Sequence, residues 1–343
     1  MSDSFKNKLA ASAEQLYALL DGFVKARVLV VGDLTLDEFL TGQVERISRE
    51  APVLIIRHET TRQIPGGGAN AVYNLAKLGA KVKVVGLVGK DSQGEVLRQI
   101  FEAAGIDTSG MLVDSSRPTV TKTRIAGHAR QSVTQQVVRV DRKSDQLPDN
   151  DMQLQLAAQI RQQLPEVDGV VCSDYGEGVF TSPIIEAALL HSRTIVDAQT
   201  DLGRYQGATL FTPNLPEAEQ AVGYAINNPQ KVTQAGQDLL NLTGAKQILI
   251  TRGDEGMSLF DKNGVEQHIP AFNRTDVFDV TGAGDTVVAA LTLSLCLGAS
   301  VWEAAVLGNL AASIVVRQFG TATTTAAEMK LALQTLLNEE GLS

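Results

Sequence analysis

DGVVCSDYG (168–176), RTIVDAQ (193–199), ATLFTPN (208–214) and KQILITRG (246–253) punctuate one continuous stretch of the chain, and helical patterns lie between most of them. Each is a short aliphatic, β-branched run, as expected of a strand buried on both faces. Strands that alternate with helices build a parallel sheet, because each return to the same edge needs a crossover. The stretch therefore predicts an α/β core, doubly wound. Working outward, RVLVVG (27–32) reads as a first strand closed by glycine, with a functional loop expected at its carboxyl end. ANAVYNLAKL (69–78) has helical spacing and stops at Gly79, and KVKVVGLVGKD (81–91) supplies another strand with a Gly-Asp exit. Towards the C-terminus a β-hairpin near Gly264 is followed by an apolar helix starting near Thr286 and two more helices.

Two segments break this rhythm. Residues 42–63 (GQVERISREAPVLIIRHETTRQ) and 119–141 (TVTKTRIAGHARQSVTQQVVRVD) mix polar alternation with short apolar pieces, and the second turns around Gly127 and His128. They predict a small β-rich lid, discontinuous in sequence, on a core made of 1–41, 64–118 and 142–343. Exposed lid strands leave pairing edges, so a homodimer through the lid is expected.

At 343 residues and 44% hydrophobic content the chain can bury a large core. Acidic residues outnumber basic ones 39 to 30, a net charge of -9, which argues against nucleic-acid or membrane-surface binding and favours a small-molecule partner. Cys172 and Cys296 sit in apolar runs without metal-ligand spacing and read as small buried hydrophobes. The N-terminal segment lacks the pattern of a signal peptide, and the most apolar stretch, Val287 to Leu297, is too short to span a bilayer. A cytoplasmic protein is the expectation. GxxxxGK[ST], HExxH, CxxC and GxSxG are missing, no GxGxxG follows the first strand, and the scattered histidines carry no assigned role.

The segment richest in chemistry is DVTGAGDT (279–286), just ahead of the apolar helix. Gly282 and Gly284 let successive N–H groups at a helix start point at one place, which makes an anion site. Asp285 there can take a proton from an attacking hydroxyl. Read alone, the glycines form a turn and Asp285 caps a helix. In TPNLPEAE (212–219), Asn214 and Glu217 can face one ligand or its hydrated metal, or cap a helix as N-cap and N3 partner. Asn309 in an apolar helix could equally satisfy a buried backbone group.

The full octet DVTGAGDT, together with VVGDLTLDEF, PGGGAN, TPNLPEAE, TRGDEG and the GNLAASIVV helix in this order, resembles the ribokinase-like (PfkB) carbohydrate kinases over nearly the whole chain. The resemblance implies a ribokinase-like fold and ATP-dependent phosphorylation of a sugar or sugar-phosphate hydroxyl with Mg2+, and leaves a monovalent cation open. It makes Gly282, Ala283, Gly284 and Asp285 the anion hole and base, and Asp37, Gly66, Gly67 and Asn70 the sugar contacts. Thr251, Arg252, Gly253, Gly256 and Asn309 would border the nucleotide, and Asn214 and Glu217 would lie near the metal, through water. Read singly, Asp37 could be a loop cap and Gly66 to Gly68 a plain turn.

Within the family the likeness is to the heptose-7-phosphate kinase branch, through GDLTLDEFLTGQVERISREAPVLI, RQSVTQQVVRVD, CSDYGEGV and GATLFTPN. It implies a phosphorylated seven-carbon sugar, with Arg46, Arg49, Gln136, Arg139 and Asp141 near the lid and substrate. Glu177 stands where that branch usually has lysine, and Asp197, Ala198 and Gln199 stand where it has a DPK segment. A neutral sugar, another phosphohexose, a nucleoside, or an idle sugar or nucleotide sensor on the same fold therefore stay open.

Overall fold

The computed structural model describes residues 2–129, 133–273, 277–318 and 320–342. Its main sheet contains β1 (Arg27–Gly32), β4 (Lys81–Gly89), β5 (Asp107–Asp114), β8 (Gly169–Asp174), β9 (Thr194–Ala198), β10 (Leu210–Phe211), β11 (Gln247–Thr251), β12 (Met257–Asp261) and β13 (Glu266–Ile269). A second sheet contains β2 (Leu34–Ile47), β3 (Leu54–Gly67), β6 (Val120–His128) and β7 (Gln135–Arg142). The helices are α1 (Asp3–Gly22), α2 (Gly68–Lys77), α3 (Ser92–Ala103), α4 (Asn150–Gln163), α5 (Ser182–Leu189), α6 (Leu215–Val222), α7 (Pro229–Thr243), α8 (Ala283–Cys296), α9 (Val301–Val315) and α10 (Ala326–Glu339).

The main sheet runs β13-β12-β11-β10-β9-β8-β1-β4-β5, all in one direction except β12, which is antiparallel to β11 and to β13, its partner in the hairpin at Gly264. Successive side chains of one strand enter opposite cores. Val28 and Val30 pack with α1, α2, α8, α9 and α10, whereas Leu29 and Val31 pack with α4, α5 and α7. That is why these strands carry no polar alternation: water reaches neither face. Residues Val287 to Leu295 of helix α8 are buried on every side, which is why only Thr292 and Ser294 interrupt their apolar run, each leucine contributing about 2 kcal/mol. The mainly parallel core with helices on both faces and a separate small β sheet is the architecture expected from the sequence.

The second sheet has the order β3-β2-β6-β7, and its strands run past the expected lid bounds of 42–63 and 119–141. Asp33 alone separates β1 from β2, so the chain passes from core strand to lid strand without the functional loop expected there. Leu34 and Leu36 point into the main core, which hid the strand's alternation from a reading based on exposure. Gly127 and His128 pair with β2 as the end of β6, so neither forms the expected turn, and residues 130–132 of that segment lie outside the described residues. Helix α8 starts at Ala283, not near Thr286, because Gly282 serves as its N-cap.

Candidate active site

β1 and β8 are neighbours where the strand order reverses, and the carboxyl ends of such strands open a crevice. Helix α8 begins there. Gly282 has φ 77°, a left-handed backbone natural to glycine, and a Cβ on it would come 2.7 Å from the Asn70 amide nitrogen. Val280 O accepts from Ala283 N–H and Gly282 O from Thr286 N–H. Among the described residues the N–H groups of Gly284 and Asp285 have no backbone acceptor, so the helix start is an anion site reinforced by the helix dipole. Open space surrounds the place where a Gly284 side chain would begin, which leaves room for a ligand.

Asp285 is 3% exposed. Asn70 Nδ2 donates to its Oδ2 at 2.7 Å, and the Tyr175 hydroxyl donates to its Oδ1 at 3.0 Å. Burial pushes its carboxyl up to about 6; the nearby Asp37 charge adds to this, while the two hydrogen bonds pull it down. A carboxyl that titrates near neutrality is suited to taking a proton from a hydroxyl. Asn74 locks the arrangement, donating to the Asn70 carbonyl at 3.0 Å and side-chain oxygen at 3.1 Å and accepting from Thr286 Oγ1 at 3.0 Å.

Asp37 on β2 faces this centre, 4% exposed and ion-paired at 2.7 Å with Arg124. A Cβ on Gly66 would come 2.6 Å from the Asp37 carboxylate, and Gly67 has φ 51° at the N-cap of α2. Across the lid, Asp37 lies opposite Lys122 and Lys122 opposite Asp141; Phe39 lies opposite Arg124 and Arg124 opposite Arg139. Directly opposed side chains share a face, so Lys122, Arg124 and Arg139 form a basic stripe on the side of Asp37. Arg139 is turned onto Asp141, with bonds of 2.9 and 2.9 Å on the exposed edge strand, so these two meet each other and not Asp37. Arg46, Arg49 and Gln136 are exposed, the first two towards the far end of the lid.

On the other side of α8 lies a cavity of about 380 Å³. It gathers Thr251, Gly253, Gly256, Ala283, Gly284 and Asn309 with apolar Met257, Val280, Val287 and Val316. Asn309 also donates to Pro270 O at 2.7 Å, so it satisfies a backbone group while lining the cavity. Arg252 does not line it; its guanidinium is drawn to Glu255 at 2.6 Å.

Asn214 and Glu217 form a complete capping box, Asn214 Oδ1 accepting from Glu217 N–H and Glu217 Oε2 from Asn214 N–H, both at 2.9 Å. Glu217 keeps Oε1 outside that box. Nearby, Asp197 is pushed up to about 8 by burial and by the charges of Asp285 and Glu217, while burial also raises Glu217. Carboxylates that repel one another in this way suit a dication held partly through water. Among the described residues no group of three His, Cys, Asp or Glu could cage a metal directly.

Three participants were missed by sequence reasoning. Tyr175 carries no spacing signal. Lys122 and Arg124 alternate along one strand, a period of two that does mark a shared face. Glu177, 8% exposed, has Lys122 at 3.6 Å and Lys143 at 3.5 Å. Gln199 is exposed and lines a separate cavity of about 650 Å³ with Asp201, Arg204 and Glu217.

A carboxyl poised near neutrality, unbonded N–H groups at a helix start beside it, and a cavity along that helix are the parts needed by an enzyme that moves a phosphoryl group onto a sugar hydroxyl, a sugar kinase. The chain belongs to the pfkB family of carbohydrate kinases, matching it over residues 25–328. Within that family it is close to the heptose-7-phosphate kinases. The bifunctional protein HldE of Desulfatibacillum aliphaticivorans is 43% identical over 318 residues, 91% of this chain and 64% of that protein, so the chain spans under two thirds of this relative. Phosphofructokinase-2 from Escherichia coli in complex with potassium superposes with a TM-score of 0.73 at 21% identity, covering 91% of this chain and 99% of the other. Arabidopsis thaliana ribokinase complexed with ribose and ATP gives 0.68 at 20% identity, covering 91% and 98%. At these identities the two structures speak for the fold.

Proposed function

We propose that this chain uses ATP and Mg2+ to phosphorylate the anomeric hydroxyl of D-glycero-D-manno-heptose 7-phosphate, giving the 1,7-bisphosphate. The observation that carries the reading is the pair Lys122 and Arg124 beside Asp37, with Arg139 next along the same face, since a phosphorylated sugar needs cations away from the reacting hydroxyl. Glu177 does not reverse that charge, because two lysines flank its one carboxylate. Asp37, Gly66, Gly67 and Asn70 hold the sugar, Asp285 takes the proton of the attacking hydroxyl, and the free N–H groups at the start of α8 receive charge on the transferring phosphoryl group. ATP lies in the cavity bounded by Thr251, Gly253, Gly256 and Asn309. Asn214 and Glu217 would hold Mg2+ through water, and the ion would supply positive charge to the nucleotide's phosphates. The chain works in the cytoplasm, and its lid is the contact with a second copy, because β7 is an exposed edge with Val138 and Val140 uncovered on the face away from Asp37.

The test is ADP release with Mg-ATP across heptose 7-phosphate, fructose, fructose phosphates, ribose and adenosine, with and without potassium. Preferred turnover of the heptose phosphate, lowered about 10²- to 10⁴-fold in Asp285→Asn with KM little changed, is expected. Preference for a neutral sugar would replace the substrate, and silence on the whole panel would favour a sensor.

A further inference from the structure

Asp33 is the single residue between β1 and β2, 1% exposed, and the mechanism above does not use it. Its side chain accepts three backbone N–H groups from one loop: Oδ2 from Tyr175 at 2.8 Å and Glu177 at 3.1 Å, and Oδ1 from Val179 at 3.1 Å. The residues between them are Gly176 and Gly178, with φ of 73° and 94°. Left-handed glycines set between other residues turn alternate N–H groups inward, the geometry by which backbone surrounds an anion. Here the acceptor in that place is the protein's own carboxyl group. Asp174, at the foot of the same loop, accepts from Gly176 N–H at 2.9 Å and from the Tyr205 hydroxyl at 2.6 Å, fixing the loop from its other side.

The main chain of Asp33 points the same way. Its N–H donates to Ser173 O at 3.2 Å, and its carbonyl accepts from Gly68 N–H at 3.0 Å at the start of α2. Asn70 on α2 donates to one oxygen of Asp285, and Tyr175 on the loop donates to the other. Both groups that orient the Asp285 carboxyl are thus tied to one residue. The loop also carries Glu177 to Lys122 of the lid.

We propose that Asp33 is a positioning residue for the transfer reaction: by filling the loop Tyr175–Val179 it places the Tyr175 hydroxyl on Asp285 and thereby sets the orientation of the base. This rests on Asp285 being the base. Removing an acceptor from Asp33 releases the loop, lets the tyrosine leave, and leaves Asp285 held by Asn70 alone. The nucleotide cavity, which no residue of this loop lines, is untouched.

The experiment is a double-mutant cycle on the full chain, with Asp33→Asn, Tyr175→Phe and the pair, assayed with Mg-ATP and the best substrate of the panel. Tyr175→Phe is expected to lower kcat about tenfold or more with KM for both substrates nearly unchanged. Asp33→Asn should do the same, and the pair should be no slower than the worse single variant. Gly176→Ala keeps every polar side chain and adds a Cβ in open space, so its only effect is backbone strain at φ 73°. It should lower kcat in the wild-type background and not in Tyr175→Phe, which provides the test even where Asp33→Asn fails to fold. Additive losses in the cycle, or Asp33→Asn and Gly176→Ala that lose thermal stability while keeping kcat, would overturn the proposal. Asp285→Asn run alongside separates the two ideas: if it turns over normally the base assignment is wrong, whereas if it is inactive and the cycle additive only the role of Asp33 is wrong.

Discussion

Asp285 shows how burial moves an ordinary carboxylate into the range in which a general base works. Burial raises its pKa, and because a base must be ionised to accept a proton, activity is lost as pH falls through that value. The kcat/KM profile of the free enzyme is therefore expected to bend downward below about pH 6. A flat profile down to pH 4.5 would contradict the assignment. Arg124 belongs to the same scale. It is paired with Asp37 and stands in the basic stripe, so Arg124→Met should raise KM for a phosphorylated sugar about tenfold or more, with a smaller change for a neutral one. Equal effects on both substrates would mean that Arg124 serves Asp37 alone. The resemblance placed Asp285, Asn70 and Asp37 in one site without showing their partners. Tyr175 escaped notice because a lone tyrosine after a strand has no period; only the loop's course brings its hydroxyl to Asp285.

At the scale of elements, the two faces of the small sheet differ in chemistry. Strict alternation puts Lys122, Arg124 and Arg139 on the face of Asp37 and Val138 and Val140 on the other. Val138 and Val140 are 46% and 44% exposed on an edge strand, and apolar edges invite pairing. Val138→Lys with Val140→Lys should shift the mass measured by light scattering from dimer towards monomer. An unchanged mass, or a wild-type protein that is already monomeric at micromolar concentration, would remove the lid as an interface. The strands themselves were legible from polar alternation, but their bounds were not. Leu34 and Leu36 are buried in the main core, so the start of β2 looks like a continuation of β1. The capping box of α6 is a further case: the same two side chains fit a helix cap and a site near phosphate, and the structure satisfies the first while leaving Oε1 of Glu217 outside the box.

For the whole molecule, the site imposes a cost in stability that depends on pH. Asp285, Asp33 and Asp197 are raised from 3.8 to about 6, 7 and 8, in each case first by burial. A group whose folded pKa lies above its unfolded value binds its proton more tightly when folded. Its contribution to stability is complete below the unfolded value and is lost as pH rises through the folded one. The ligand-free protein should therefore unfold at a lower urea concentration at pH 8 than at pH 5.5. A midpoint that rises across that window would show that these carboxyls are not strained by burial. Among the described residues no helix is long and apolar enough to cross a membrane. The order of strands and helices, the two-sided burial of the sheet and the glycine-framed start of α8 were determined by the sequence itself, because periodicity and backbone freedom are local properties. Which carboxyl is buried, which cations share the face of Asp37, and that Asp33 closes the loop beneath Tyr175 were decided only by the tertiary structure. Each depends on groups far apart in the chain, such as Asn70 and Asp285 or Asp33 and Val179, and their energies arise only when folding removes the water between them.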